Sequence, residues 1–444
     1  MPLAAPAPTP ALAQPAGSRL LKLLSVSLAV LAPAWIYALF QSTTLYDPTS
    51  SYFLVPAILF ASIGIIFRCT RGESFLRKVM LIGIWAKLAA TGAYLAMSFI
   101  VYKAASDNVH YFYRGLIYAG DVRWNGHWPL LEPIWSENSI YMLTGALVVA
   151  LGVALPAISF VFACVSFWAQ YLFYRAIVVA FPNADRNRSA LMLFLFPSLL
   201  FWPACIGKDA IIAFFIGLAV YGFALMNHRV TPRAVIWFVL GLAGTTIVRP
   251  HVAAMVSIAA VLPFLLGKSR HGWMGFSRIV FAPVLIFAAL YMAWRAQDFL
   301  KMENVSQASV VIRRVGIDNN SGGSAFEGEA STASRALAAP VLFFRPFPWE
   351  AQSATSIIAA GEGLLLLWLV LRNRRQLMAS VRRWRSNPFG AFLILFVIEF
   401  CLIYSAAVTN FGLLARQRVM ALPMVLMLLC MAPPRLYSME KAQL

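Results

Sequence analysis

The chain has 444 residues, 61% of them hydrophobic and only 12% charged, with a mean hydropathy of +0.75. A water-soluble domain cannot bury that much apolar surface, so a soluble globular enzyme is excluded and most of the chain is expected in lipid. The formal net charge of +19 sits in short connectors between apolar runs, which fits topology signals of the positive-inside kind and argues against nucleic acid as a partner.

In chain order, residues 1–18 read as a disordered Pro/Ala tail, and the apolar run after Arg19 and Lys22 as an uncleaved first span. Runs long enough to cross a bilayer follow at 51–67, 80–102, 139–156, 157–181, 209–227, 234–249, 251–267, 278–296, 354–371, 388–407 and 418–434. Together with 20–40 they predict an all-α polytopic membrane protein of about twelve transmembrane helices, forming one transmembrane domain over 19–435, with a cytoplasmic tail at 436–444.

The connectors 68–78, 228–233, 268–278 and 372–385 carry most of the Lys and Arg and are expected in the cytoplasm, together with both termini. Two long connectors, 103–138 and 297–353, then fall on the outer side. Parity requires one apolar run not to cross. Ala190 to Ile206, broken by Pro197 and Pro203, is the natural candidate for a re-entrant segment, at the expense of placing Arg186 and Arg188 outside.

This topology collects the ionisable residues at helix ends on one face, where each needs a partner, a cavity or a substrate. In SDNVHYFYRG, Asp107, His110, Tyr111 and Arg114 share a face of a short interfacial helix and could line a site; an aromatic belt with snorkelling charges is the competing reading. Asp121, Arg123 and His127 in the same loop are rivals. Arg249 and His251, between two apolar runs, suit a phosphate or carboxylate, or lipid headgroups.

Arg345 and Glu350 in FFRPFPWEAQ flank two prolines and a tryptophan, either at a saccharide or as a structural pair. Arg416 and Arg418 in NFGLLARQR stand on the side that topology disfavours for bases. In FPSLLFWPACIGKDA, Asp209 suits the start of a helix, whereas Lys208 is disfavoured there by the macrodipole and is a phosphate-binding candidate. Glu399, inside an apolar run, would suit a transport path with Lys208, Asp209 and Arg249. The five cysteines have no disulfide or zinc spacing, and no P-loop, HExxH, GxSxG or GxGxxG motif is present.

The order SDNVHYFYRG, FPSLLFWPACIGKDA, IVRPH, FRPFPWEA and NFGLLARQR resembles bacterial membrane glycosyltransferases and polysaccharide polymerases of the GT-C type, over roughly residues 100 to 425. The resemblance implies the bacterial inner membrane, a polyprenyl-phosphate or -diphosphate sugar donor, and a polysaccharide or glycan acceptor at the outer face. It implies Asp107 as general base, with His110 second and Asp47 as rival. Arg114, Lys208, Arg249, His251, Arg345, Glu350, Arg416 and Arg418 would then bind substrate or phosphate. In the transferase branch such an aspartate also serves as ligand to a divalent metal; the polymerase branch uses arginines and no metal. No set of metal ligands is assigned. A transporter or flippase for a lipid-linked or anionic substrate is the alternative.

Overall fold

The computed structural model describes residues 50–267, 273–299, 339–351, 354–382, 384–408 and 410–431. The expected tails, the span at 20–40, Asp47 and most of the 297–353 loop lie outside the described residues. Among the described residues every regular element is helical and no strand occurs.

The first half comprises α1 (Ser50–Cys69), α2 (Ser74–Ala96, extended by a π turn at Met97–Val101), α3 (Asp107–Asn125), α4 (Glu137–Leu151), α5 (Leu155–Ala180), α6 (Arg186–Leu195) and α7 (Pro197–Phe201). The second comprises α8 (Lys208–His228), α9 (Pro232–Val248), α10 (Pro250–Leu266), α11 (Trp273–Phe299), α12 (Ala339–Leu342), α13 (Ala354–Arg372), α14 (Arg374–Arg382), α15 (Pro388–Ala407), α16 (Phe411–Gln417) and α17 (Leu422–Leu429). One apolar cluster, reaching from Leu59 to Met431, is shared by most of them.

Among the described residues five helices are long and apolar enough to cross a membrane, or seven if each of two bent pairs is one span. Several runs expected to cross form shorter helices: α4, α9 and α10 have 15, 17 and 17 residues. At 1.5 Å per residue they rise about 22–26 Å, less than the roughly 30 Å of bilayer hydrocarbon.

The hydrogen bonds fix the directions. Take the face where α1 starts as the upper one. α1 and α2 close at the lower face, where Arg77 donates to the Thr70 hydroxyl at 3.2 Å and carbonyl at 3.0 Å. α5 descends beside them, with Ala154 and Ala157 against Leu54 above and Tyr174 donating to Glu73 at 3.1 Å below. The lower end of α5 and the start of α15 meet through Phe181 and Phe389, so the basic connectors 68–78 and 228–233 and the described residues of 372–385 share the lower face.

The topology differs from the expected one at two places. The segment 186–206 is not re-entrant: it climbs alongside α2, since Lys87 donates to the Leu199 carbonyl at 2.7 Å and Thr91, one turn higher, to the Ala204 carbonyl at 2.9 Å. Instead both ends of α4 lie at the upper face. The Ser136 N–H bonds the Ile247 carbonyl at the upper end of α9, and Gly152–Ala154 leads from α4 directly to the upper end of α5. The two exchanges cancel in parity, and Arg186 and Arg188 then lie with the other basic connectors below.

The broken backbone of this segment is possible because side chains satisfy its irregular groups, as apolar surroundings demand. Lys87, 0% exposed, also reaches the Leu200 carbonyl at 3.1 Å, Gln170 reaches Leu199 at 3.0 Å, and Ser166 reaches Pro203 at 2.8 Å. Glu362 accepts from the Ser198 N–H at 2.8 Å and from its hydroxyl at 2.6 Å, where Pro197 interrupts the helix.

α8 and α9 approach backbone to backbone. A Cβ on Gly241 would run into Ala219, and one on Gly222 into Phe238. Gly241→Ala is therefore expected to lower stability by about 1–3 kcal/mol through overpacking. Gly64→Ala, where nothing lies within 4 Å, should leave the Tm of the purified protein unchanged or slightly raised.

Candidate functional site at the upper face

Four chain segments bring charge to one place at the upper face. α3 contributes Asp107; it is docked through Asn108, whose side-chain oxygen accepts from Ser98 at 2.9 Å and Ser106 at 2.7 Å. α8 starts with Lys208 and Asp209, the α9–α10 junction holds Arg249, and α16 carries Arg416. Asn410 sets the register of α16 by accepting from the N–H groups of Gly412 at 2.8 Å and Leu413 at 3.2 Å.

Asp209 is the hub. Its carboxylate, 6% exposed, accepts from Arg249 Nη2 at 3.4 Å and from Arg416 Nε. Arg416 Nη1 donates outward to Asp107, whose side chain is 57% exposed. Arg249 also donates to Gln417, next in the chain to Arg416. Asp209 therefore joins two arginines rather than capping its helix, and no side-chain cap bond is present at the start of α8.

A second group adjoins the first. Lys208 Nζ donates to Glu137 at 3.1 Å and to Ser136 Oγ at 3.0 Å. Tyr141 donates to the other Glu137 oxygen at 3.2 Å and stands 3.0 Å from His110 Nε2. With the tyrosine proton donated to Glu137, His110 Nε2 is the donor to the tyrosine oxygen. The Arg114 guanidinium lies over the Tyr141 ring at 5.4 Å.

Burial pushes the Asp107 carboxyl up, but the Arg416 guanidinium, helped by Lys208 and His110, outweighs it and holds the carboxyl below its ordinary range. The Asp107–Arg416 pair is therefore ionised at neutral pH.

The remaining candidates lie elsewhere. Arg418 is not at this surface: it is 0% exposed and donates to Glu362 at 2.9 Å and to the Phe343 carbonyl at 2.9 Å, so it holds the interior together. Arg345 and Glu350 form a bidentate pair, Nη2 donating to Oε1 at 2.5 Å and Nε to Oε2 at 3.2 Å, with Arg345 over the Phe411 ring at 4.9 Å. His251 lies below Arg249, its Nε2 3.4 Å from the Tyr404 hydroxyl. Asp121, Arg123 and His127 sit toward the other end of α3, about 21 Å from Asp107 along the helix for Asp121.

Sequence reasoning missed Glu137, Tyr141, Gln417 and Glu362. Glu362 carried a readable signal, an acid inside the apolar run IIAAGEGLLLL. Glu137 carried none, since its role depends on α4 lying across the upper face. Among the described residues no three His, Cys, Asp or Glu side chains come together as metal ligands. Asp107 faces a guanidinium, so the donor set does not suit a divalent cation.

No protein-family model matches the chain, and no curated protein or solved structure matches it significantly.

Proposed function

We propose that the chain is an integral-membrane glycosyltransferase or polysaccharide polymerase, transferring a sugar from a polyprenyl-phosphate or -diphosphate donor to a glycan acceptor at the upper face, in cell-surface polysaccharide synthesis. On this reading the upper face is the outer side of a bacterial inner membrane. The observation that carries it is the junction at Arg416, one guanidinium held between exposed Asp107 and buried Asp209 with Arg249 and Lys208 beside it.

In the cluster Lys208, Arg249 and Arg416 are paired with Glu137, Asp107 and Asp209. A donor phosphate adds negative charge and draws Arg416 and Lys208 from the exposed carboxylates, while buried Asp209 keeps Arg249 as an anchor. Asp107 then loses the guanidinium that depressed its proton affinity and becomes a better base. It takes the proton of the acceptor hydroxyl as that oxygen bonds the anomeric carbon. The bond from that carbon to the phosphate oxygen breaks, and its electron pair leaves on the phosphate, stabilised by Arg416 and Lys208. The base is thus strengthened only when donor is bound.

The transporter reading draws on Glu399 in α15, whose Oε2 has no hydrogen-bond partner among the described residues. One experiment separates the two. The purified chain in vesicles is given labelled polyprenyl-linked sugar and glycan acceptor, and transfer and lipid flux are measured together. Asp107→Asn should reduce transfer about 100-fold or more while donor binding persists, and Glu399→Gln should leave transfer unchanged. Donor translocation without transfer, abolished by Glu399→Gln, would replace the enzyme reading with the transporter.

A further inference from the structure

The lower face carries a feature that the upper-face chemistry does not use. α13 ends at Arg372, and α14 turns away from it by 63°. The break is tied by Asn373, whose side chain donates to the Leu369 carbonyl at 2.6 Å. One side of α14 is fixed to the bundle: Gln376 donates to the Met431 carbonyl, and Ser380 Oγ lies 3.9 Å from Met431 Sδ.

The opposite side is open. Arg374, Met378 and Arg382 follow one another at i, i+4 and i+8, with Arg375 beside them, and all four are exposed. Met378 is 53% exposed and Val381 48%, and Trp368 and Leu371 continue the exposed apolar strip up α13. Arginines also cover the tryptophans on either side of α14, Arg372 over Trp368 at 5.1 Å and Arg385 over Trp384 at 5.2 Å.

The geometry points to α14 as an interfacial helix that binds anionic phospholipid headgroups through Arg374, Arg375 and Arg382, with Met378 and Val381 dipping into the acyl boundary. Charge complementarity selects the occupant. No acid occurs between Glu362 and Glu399, a stretch that holds six arginines in 372–385. An apolar strip meeting arginines at the end of an apolar helix matches a leaflet boundary, where long cationic side chains snorkel to phosphate and tryptophans sit at headgroup level. An acidic protein partner would leave the exposed Met378, Val381, Trp368 and Leu371 without an apolar counterpart.

The test uses the full chain in detergent, titrated with short-chain phosphatidylglycerol or phosphatidylcholine while the Tm is recorded. Phosphatidylglycerol is expected to raise the Tm and phosphatidylcholine not. The substitutions R374Q, R375Q and R382Q together should raise the half-saturating phosphatidylglycerol concentration at least about tenfold. R229Q with R233Q, on another basic connector of the same face, should shift it less than about twofold. Should the triple variant fail to fold, R382Q alone should give about a threefold shift. Equal responses to the two lipids, or equal effects of the two sets of substitutions, would overturn the proposal. So would inorganic phosphate reproducing the Tm rise and displacing the lipid, which would make α14 a soluble-anion site.

Discussion

Arg418→Ala is expected to destabilise the protein by about 3–5 kcal/mol, because it leaves Glu362 as an uncompensated charge in the interior. Both side chains are sealed, at 1% and 6% exposure, and 2.9 Å apart. The same carboxylate holds the N–H and hydroxyl of Ser198 at the proline break, so its loss also loosens the segment 186–206. Glu362→Gln should cost a similar amount by stranding Arg418. Replacing both residues with methionine should recover much of the loss, since it removes the charges together and keeps the volume. The Tm in detergent and the monodisperse fraction on size exclusion measure all three. Single variants within about 1 °C of wild type would show that the pair is not a structural clamp.

Arg416→Ala should reduce sugar transfer about 100- to 1000-fold, the range for removing one aimed cationic or hydrogen-bond group from a developing anion. Stability should fall less than with Arg418→Ala. Asp209 keeps Arg249, and Asp107 is exposed and can be solvated. Arg416→Lys keeps the charge but cannot hold Asp107 and Asp209 at once, so it should restore stability better than rate. The comparison of kcat with Tm for the two variants checks this. If both parameters fell in parallel for Arg416→Ala and recovered in parallel for Arg416→Lys, Arg416 would be a structural tie only, and the upper-face cluster would lose its main candidate for phosphate.

Several features were legible without coordinates because they depend on composition and local pattern. Long apolar runs can only be helices in lipid, since each must satisfy its own backbone. Charged residues beside such runs, among them Asp107, Lys208, Arg249 and Arg416, stood out because desolvation makes them expensive. The basic connectors marked one face of the bundle. Two segments were misplaced for a physical reason: hydropathy reports that α4 is apolar but not at which face its ends lie. The prolines of 186–206 predict a broken backbone but not that Lys87, Gln170, Ser166 and Glu362 would complete it.

Arg416 and Arg418 mark the boundary most clearly. In sequence they are equivalent, two bases in NFGLLARQR on the same side of the topology. Two residues of helix turn about 200°, which points the side chains in nearly opposite directions. The sequence by itself determined that this segment holds two arginines beside a membrane helix. Only the packing of α3 and α8 on one side, and of α7 and α13 on the other, decided that one meets Asp107 and Asp209 at the surface and the other Glu362 in the interior.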